Sequence, residues 1–225
     1  MRKTISLVLA VLMMLVLLPA VKLSPAVAEE TAKSYVLVTS ADDLTAGTYL
    51  VASALEEGSR YVLSKDRGNN RLAYQVSATD ENTISLTASQ LAAAKDDELA
   101  YELKLGGSAE AGWSFYDTIN SGYLYAASSD KNNMKVQAEN DANGLFAISL
   151  GTAGAATVVA QGTNTRNVMR FNSSNNPKLF SCYAESSSVQ NPVYLFKLTE
   201  GGVPEPSPST EPEPSPDPNT RRWSL

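Results

Sequence analysis

Three sets of short strand-like stretches recur along this chain, and a repeat of that kind restricts the fold more than any single residue does. Residues 49–53, 61–65 and 71–76 are echoed by 113–118, 123–128 and 134–138, and again by 157–161, 168–172 and 178–183. In each set a short turn precedes the middle strand. A longer loop rich in Asn, Asp, Ser or Lys follows it, and these residues favour turns through local side-chain bonds and tolerance of left-handed backbone.

Aliphatic, aromatic and β-branched runs at 34–39, 48–53, 61–64, 83–87, 99–105, 146–150 and 192–198 complete the strand pattern. Only 88–98 has helical character, enough for one or two turns. The pattern predicts an all-β, β-trefoil-like fold with three pseudo-repeats, with a β-sandwich as the alternative. It holds one strand more than a trefoil uses, so 83–87 is read as surplus or as an insertion extending the first lobe. The last strand, 193–198, is expected beside 35–38, joining the two ends and hiding strand edges. Val62, Leu124 and Met169 are assigned to the core at matching places, so that Tyr61, Tyr123 and Arg170 point away from it. Trp113 is expected at the base of the barrel.

The chain divides by composition. Arg2 and Lys3 precede an apolar run over 7–18, shorter than the roughly 20 residues that span a bilayer. Lys22 and Pro25 interrupt its continuation, and Ala26-Val27-Ala28 has the small-x-small form of a cleavage site. Residues 1–28 therefore read as a signal peptide, which places the protein outside the cell or on its surface. Residues 33–199 form the domain. Regular prolines over 201–219 describe a disordered, extended linker, and 220–225 a short tail, which suggests truncation of a longer chain.

Charge and cysteine content narrow the partners. Removing the leader takes three of the 18 basic residues and none of the 24 acidic ones, which leaves a formal charge of −9. Such a surface is repelled by phosphate backbones and anionic lipids, so neither nucleic acid nor membrane is expected as a partner once the leader is removed. The single cysteine, Cys182, excludes an intrachain disulfide and reads as a small buried side chain. A monomer is expected.

Catalytic chemistry finds little material. There is no histidine, so Ser-His-Asp and Cys-His arrangements are excluded and zinc loses its usual nitrogen ligand. Asp42-Asp43, Asp96-Asp97-Glu98 and Glu139 with Asp141 are the carboxylate groups that glycoside-type acid/base work would need to pair. They sit in predicted turns or strand ends and read as solvated turn acids. The oxygen-rich runs 130–133 and 139–143 match no EF-hand loop. No cofactor, no metal site and no enzymatic activity are expected. Gly106-Gly107 and the 151–154 stretch read as hairpin turns.

Three segments of the last third carry a family resemblance: Arg166-Asn167-Val168-Met169-Arg170-Phe171-Asn172-Ser173-Ser174, Pro177-Lys178-Leu179-Phe180-Ser181-Cys182-Tyr183, and Gln190-Asn191-Pro192-Val193-Tyr194-Leu195-Phe196-Lys197-Leu198. Together with Tyr35-Val36-Leu37-Val38-Thr39-Ser40 and the 43–51 segment, they resemble a β-trefoil-like, ricin-lectin-like repeated module of gut bacteria. Such modules are appended to secreted nucleases, 5′-nucleotidase-type metallophosphatases and other surface hydrolases. The Gln-x-Trp signature of ricin-like lobes is absent.

Aromatic side chains on the repeated strands, Tyr61, Tyr74, Tyr123, Tyr125, Phe171 and Tyr183, stand close in sequence to amides at the loop ends. A ring beside an amide suits a sugar. The third lobe concentrates polar groups, and Arg170, Asn172, Asn176, Tyr183 and Gln190 are its candidate ligand-binding residues. The expected function is a secreted, non-catalytic binding module for a glycan or another extracellular partner, accessory to a larger surface protein or hydrolase. A truncated N-terminal part of a secreted nuclease or phosphoesterase, or a spacer without ligand, are the alternatives.

Overall fold

The structure, a computed structural model, describes residues 31–78 and 80–199. The leader over 1–28, the proline-rich 201–219 and the tail 220–225 lie outside the described residues. The described part is all-β, with fourteen strands in one hydrogen-bonded network. They are β1 (Lys33–Leu37), β2 (Gly47–Ala52), β3 (Ser59–Asp66), β4 (Arg71–Ser77), β5 (Thr83–Leu86), β6 (Leu103–Ser108) and β7 (Gly112–Asp117), followed by β8 (Gly122–Ala126), β9 (Met134–Gln137), β10 (Phe146–Leu150), β11 (Ala155–Ala160), β12 (Val168–Asn172), β13 (Leu179–Tyr183) and β14 (Val193–Leu198). The helical stretch expected over 88–98 shrinks to one 3-10 turn, Ala88–Gln90. Beyond it the Asp97 carboxylate accepts the N–H groups of Ala93 and Ala94 at 2.8 and 2.7 Å. Local side-chain bonds of this kind compete with helix formation.

Antiparallel pairing closes β2, β6, β7, β10, β11 and β14 into a ring, each strand bonded to the next and β14 returning to β2. Closure leaves no pair of open, stacked sheets, and removes exposed edges from the barrel. Three hairpins interrupt the ring order: β3–β4, β8–β9 and β12–β13, each entered from a ring strand that pairs with its first member. The hairpins clasp one another in a cycle. Met134 N–H donates to the Asn69 carbonyl at 2.9 Å, the Ser181 hydroxyl to the Asn132 carbonyl at 2.6 Å, and Ala73 N–H to the Lys178 carbonyl at 3.2 Å. Two of those carbonyls belong to asparagines of the loops that the sequence marks as turns.

β1 and β5 stand outside the ring. As expected, β14 pairs with β1, Leu198 opposite Tyr35 and Phe196 opposite Leu37. β5 then pairs with the other edge of β1, so 83–86 forms a strand outside the ring. This added layer gives the molecule two cores. One lies inside the barrel and beneath the hairpins, with Val51, Leu63, Phe115, Leu124, Phe146, Val158, Met169, Phe171 and Leu195 among its members. The second joins Tyr35 and Leu37 of β1, Ile84 and Leu86 of β5, and Leu50, Ala52, Val62, Val76 and Phe196 on the outer side of the barrel. β2 consequently runs through four consecutive buried positions rather than alternating.

The second core moves one assignment. Val62, Leu124 and Met169 are all buried, yet Leu63 is the residue that joins Leu124 and Met169 in the barrel core, while Val62 faces the added layer. A one-residue shift exchanges the two faces of a strand. Tyr61, two residues from Leu63, therefore points inward, and its ring stacks on Phe171 with centroids 5.5 Å apart. Gly106 and Gly107 also differ from expectation, since they lie inside β6 and not in a turn. Gly107 has φ near +100°, and a Cβ there would meet the Gly112 carbonyl oxygen at 2.2 Å, so only glycine lets the two strands approach this closely. Residues 151–154 do form the turn between β10 and β11. Trp113 is buried in the barrel core, opposite Gly107 and Phe146.

Candidate functional site

The outer face of the second hairpin and of the ring strand that enters it carries a row of half-buried side chains. Along β7 the residues Trp113, Phe115 and Asp117 are buried while Ser114 and Tyr116 are half-buried, and β8 alternates in the same way around Tyr123 and Tyr125. This is the signature of a sheet with one packed and one solvated face. The other hairpins differ. The added layer covers Val62 and Val76 on the first, and all five residues of β13 in the third are buried.

Cross-strand pairing lines up the open side chains. Lys104 of β6 stands opposite Tyr116 of β7, Tyr116 opposite Tyr123 of β8, and Tyr123 opposite Gln137 of β9. Tyr125 and Lys135 form the next pair along the same face. The rings of Tyr116 and Tyr123 meet edge to face with centroids 5.0 Å apart, a geometry that holds both rings in place. Polar groups border them. The Gln137 amide donates to an Asp141 carboxylate oxygen at 2.9 Å, and this bond, with the N–H of Asn143, holds the Asp141 carboxyl below the usual carboxylate range. At the other end the Lys104 ammonium donates to the Thr48 hydroxyl at 2.6 Å.

Thr48 and Lys104 also belong to the rim of an open cleft of about 980 Å³ between the 38–48 loop and the end of β14. Asp42, Asp43, Thr45 and Lys197 line it as well, with Lys197 donating to the Thr45 hydroxyl at 2.5 Å. The tyrosine row and the cleft thus share Lys104.

The five candidate residues of the third hairpin are brought together only in part. Asn172 donates its amide to the Tyr183 hydroxyl at 3.0 Å. Gln190 precedes Asn191, whose backbone exchanges two hydrogen bonds with Phe171, so it lies alongside; its side-chain oxygen accepts from the Ser187 hydroxyl. Arg170 stands opposite Ser181 with its Nε buried and unpartnered. Asn176 is exposed on the turn between β12 and β13. Tyr183 is 3% exposed and burial pushes its hydroxyl pKa up, so its ring offers no face for stacking. The loop of the second hairpin covers this side, through the Asn132 carbonyl on Ser181 and the Asn132 amide oxygen on Arg166 at 2.7 Å.

The acidic groups are engaged in three separate loops. Asp43 accepts from the Ser40 hydroxyl at 2.6 Å, Asp97 from two backbone N–H groups, Glu98 from Lys65 at 2.8 Å, and Asp141 from Gln137. Among the described residues, no three His, Cys, Asp or Glu side chains gather as a metal site would require. Cys182 is fully buried, and burial pushes its thiol up to about 12.

Tyr123 and Tyr125 are among the aromatics that the sequence singles out; Tyr116, Lys104 and Gln137 are not. Period-two alternation along 113–118 marks Tyr116 as outward. No local signal shows that its neighbours are Lys104 and Tyr123, because strand pairing is not local.

No family model and no curated protein matches this chain. Among solved structures it is similar to a lectin from Polyporus squamosus bound to the human-type influenza-binding epitope Neu5Aca2-6Galb1-4GlcNAc, at 11% identity and a TM-score of 0.43. That match covers 68% of this chain and 49% of the lectin, so the chain spans about half of that protein's length. The cytolethal distending toxin from Actinobacillus actinomycetemcomitans is similar at 9% identity and a TM-score of 0.41, over 68% of this chain and 95% of that one. A BEL β-trefoil in an apo crystal form is similar at 13% identity and a TM-score of 0.41, over 68% and 94% of the two chains. These TM-scores are too low to carry fold or function from those proteins to this one.

Proposed function

We propose that this chain is a β-trefoil-like, non-catalytic binding module that takes a glycan on the tyrosine face of its second hairpin. The closed ring of six strands with three hairpins supports the trefoil reading, with each ring-hairpin-hairpin-ring run as one pseudo-repeat. The observation that carries the function is the row Tyr116, Tyr123 and Tyr125, half-buried on the neighbouring strands β7 and β8 and bordered by the Gln137 amide. Aromatic faces stack on the apolar face of a sugar ring, and an adjacent amide fixes its hydroxyls. The non-catalytic reading draws on the absence of histidine from the chain and on carboxylates that bond within their own loops. Of the third-hairpin residues, Asn172 and Tyr183 then bond to each other within that hairpin, and Ser181 and Arg166 join it to the second through Asn132. Export to the cell exterior, a monomeric state and an accessory role beside a larger surface protein or hydrolase complete the proposal.

The test is binding of the folded domain to an immobilised glycan panel, followed by calorimetry on the best ligand. Tyr123→Ala should weaken binding about tenfold or more, equivalent to about 1.4 kcal/mol, while Asn172→Ala should leave it unchanged. Loss with Asn172→Ala but not with Tyr123→Ala would move the site to the third hairpin.

A further inference from the structure

We infer that the tyrosine face is built for an acidic oligosaccharide, one carrying carboxylates on separate sugars; this rests on the glycan reading above. The surface it would lie on is extended. From Thr48 the row crosses β2, β6, β7, β8 and β9 through Lys104, Tyr116, Tyr123 and Gln137. At about 4.8 Å per strand this is roughly 19 Å, too long for a single sugar and suited to a chain. Its Thr48 end opens into the 980 Å³ cleft, so a chain has room to continue there.

Charge selects the kind of chain. The protein carries 24 acidic against 18 basic residues, yet both cations on this row flank the rings. Lys104 stands beside Tyr116 and Lys135 beside Tyr125. Neither makes an ion pair among the described residues, where the three ion pairs use Lys33, Lys65 and Arg71. Lys104 is held only by the neutral Thr48 hydroxyl; Asp141 at the Gln137 end is occupied by Gln137 and Asn143, and of Asp42 and Asp43, which line the cleft at the Thr48 end, Asp43 accepts from Ser40. Two unpaired ammonium groups on an otherwise acidic surface form a local positive site on either side of a stacking platform. Lysine presents a point charge without the planar fork of arginine, which suits single carboxylates better than bidentate recognition of one large anion. Three strand spacings separate the two lysines, about 14 Å, so they reach different sugars of one ligand.

The probes are oligogalacturonate and the same oligomer fully methyl-esterified, which differ by the charge and one methyl group on each sugar, with dextran sulfate and a neutral glucan oligomer as controls. Calorimetry on the intact protein should show oligogalacturonate binding about threefold to tenfold tighter than its ester, as two exposed charge contacts provide. The preference should fade as salt rises. Lys104→Gln with Lys135→Gln should abolish it and leave affinity for the ester unchanged, whereas Tyr123→Ala should weaken both. Equal binding of acid and ester, or of neutral glucan, would overturn the acidic assignment and leave the glycan reading standing. Tighter binding of dextran sulfate would reassign the lysines to sulfate. No binding to any of the four would overturn this inference. Failure of the glycan reading itself would show separately, as a glycan panel without a ligand.

Discussion

The guanidinium of Arg71 and the carboxylate of Asp117 meet at 2.6 Å with both side chains fully buried, joining the first hairpin to the ring strand that enters the second. Neither group is left to the other alone. Arg71 Nε donates to the Ser64 carbonyl at 2.8 Å, and its guanidinium lies over the Tyr101 ring. Asp117 accepts from the N–H groups of Ile119 and Asn120, both at 3.0 Å, and from the Asn120 amide at 2.7 Å. The same carboxylate therefore shapes the β7–β8 turn that leads into Tyr123 and anchors that turn to the first hairpin.

Removing one partner of such a pair leaves the other charge buried and uncompensated, which costs about 3–5 kcal/mol. Asp117→Ala should lower unfolding stability by that amount in urea titration, with a larger effect than any single exposed ion pair. Replacing Lys65, whose partner Glu98 is exposed, should change stability by less than about 1 kcal/mol.

Leu63 fills the barrel core together with Leu124 and Met169. Leu63→Ala should cost about 2–5 kcal/mol through lost burial and the cavity left behind. The measurement is a chemical denaturation curve; an effect under 1 kcal/mol would place Leu63 outside that core.

Gly122 opens β8, and a Cβ at this position would meet the Gln137 carbonyl oxygen at 2.5 Å and a Val136 methyl at 2.6 Å. Gly122→Ala should push β8 and β9 apart. Since this pair presents Tyr123, Tyr125 and Gln137 on one face, glycan affinity should fall even where the Tm drops only a few degrees, as calorimetry and circular dichroism on the same sample would show.

Alkaline stability follows from two buried phenols. Burial raises the Tyr101 hydroxyl from 10 to about 12, and burial together with the hydrogen bond to Glu102 raises Tyr35 further. The unfolded chain releases these protons near pH 10, while the folded one keeps them. Their contribution is thus fully present below pH 10 and is lost as pH climbs toward 12 and beyond. Urea midpoints should be steady across pH 8–9 and fall above 10, and Tyr101→Phe should flatten part of that fall.

The Cys182 thiol, fully buried and raised by burial to about 12, should resist a thiol reagent at pH 8 in the native protein and react fully once unfolded. Rapid labelling of the folded protein would contradict its place in the barrel core.

What the sequence by itself determined is local. Period and turn chemistry placed strands at 61–65, 71–76, 123–128, 168–172 and 178–183, within a few residues of β3, β4, β8, β12 and β13, singled out 83–87, where β5 lies, and paired the last strand with the first. These follow from residue type and spacing, which neighbours along the chain carry. Only tertiary structure decided which face of each strand stays open. Val62 rather than Leu63 faces the added layer because β1 and β5 fold against the outside of the barrel. Tyr183 is buried, its hydroxyl taking the Asn172 amide, in a hairpin that the second hairpin's loop also grips through Ser181. Tyr116 meets Tyr123 and Lys104 only through pairings across strands. Alternation tells a residue that it has two sides; what covers each side is set by chain segments far away in sequence, and that choice buries Tyr183 on the third hairpin while leaving Tyr116, Tyr123 and Tyr125 half-buried along β7 and β8.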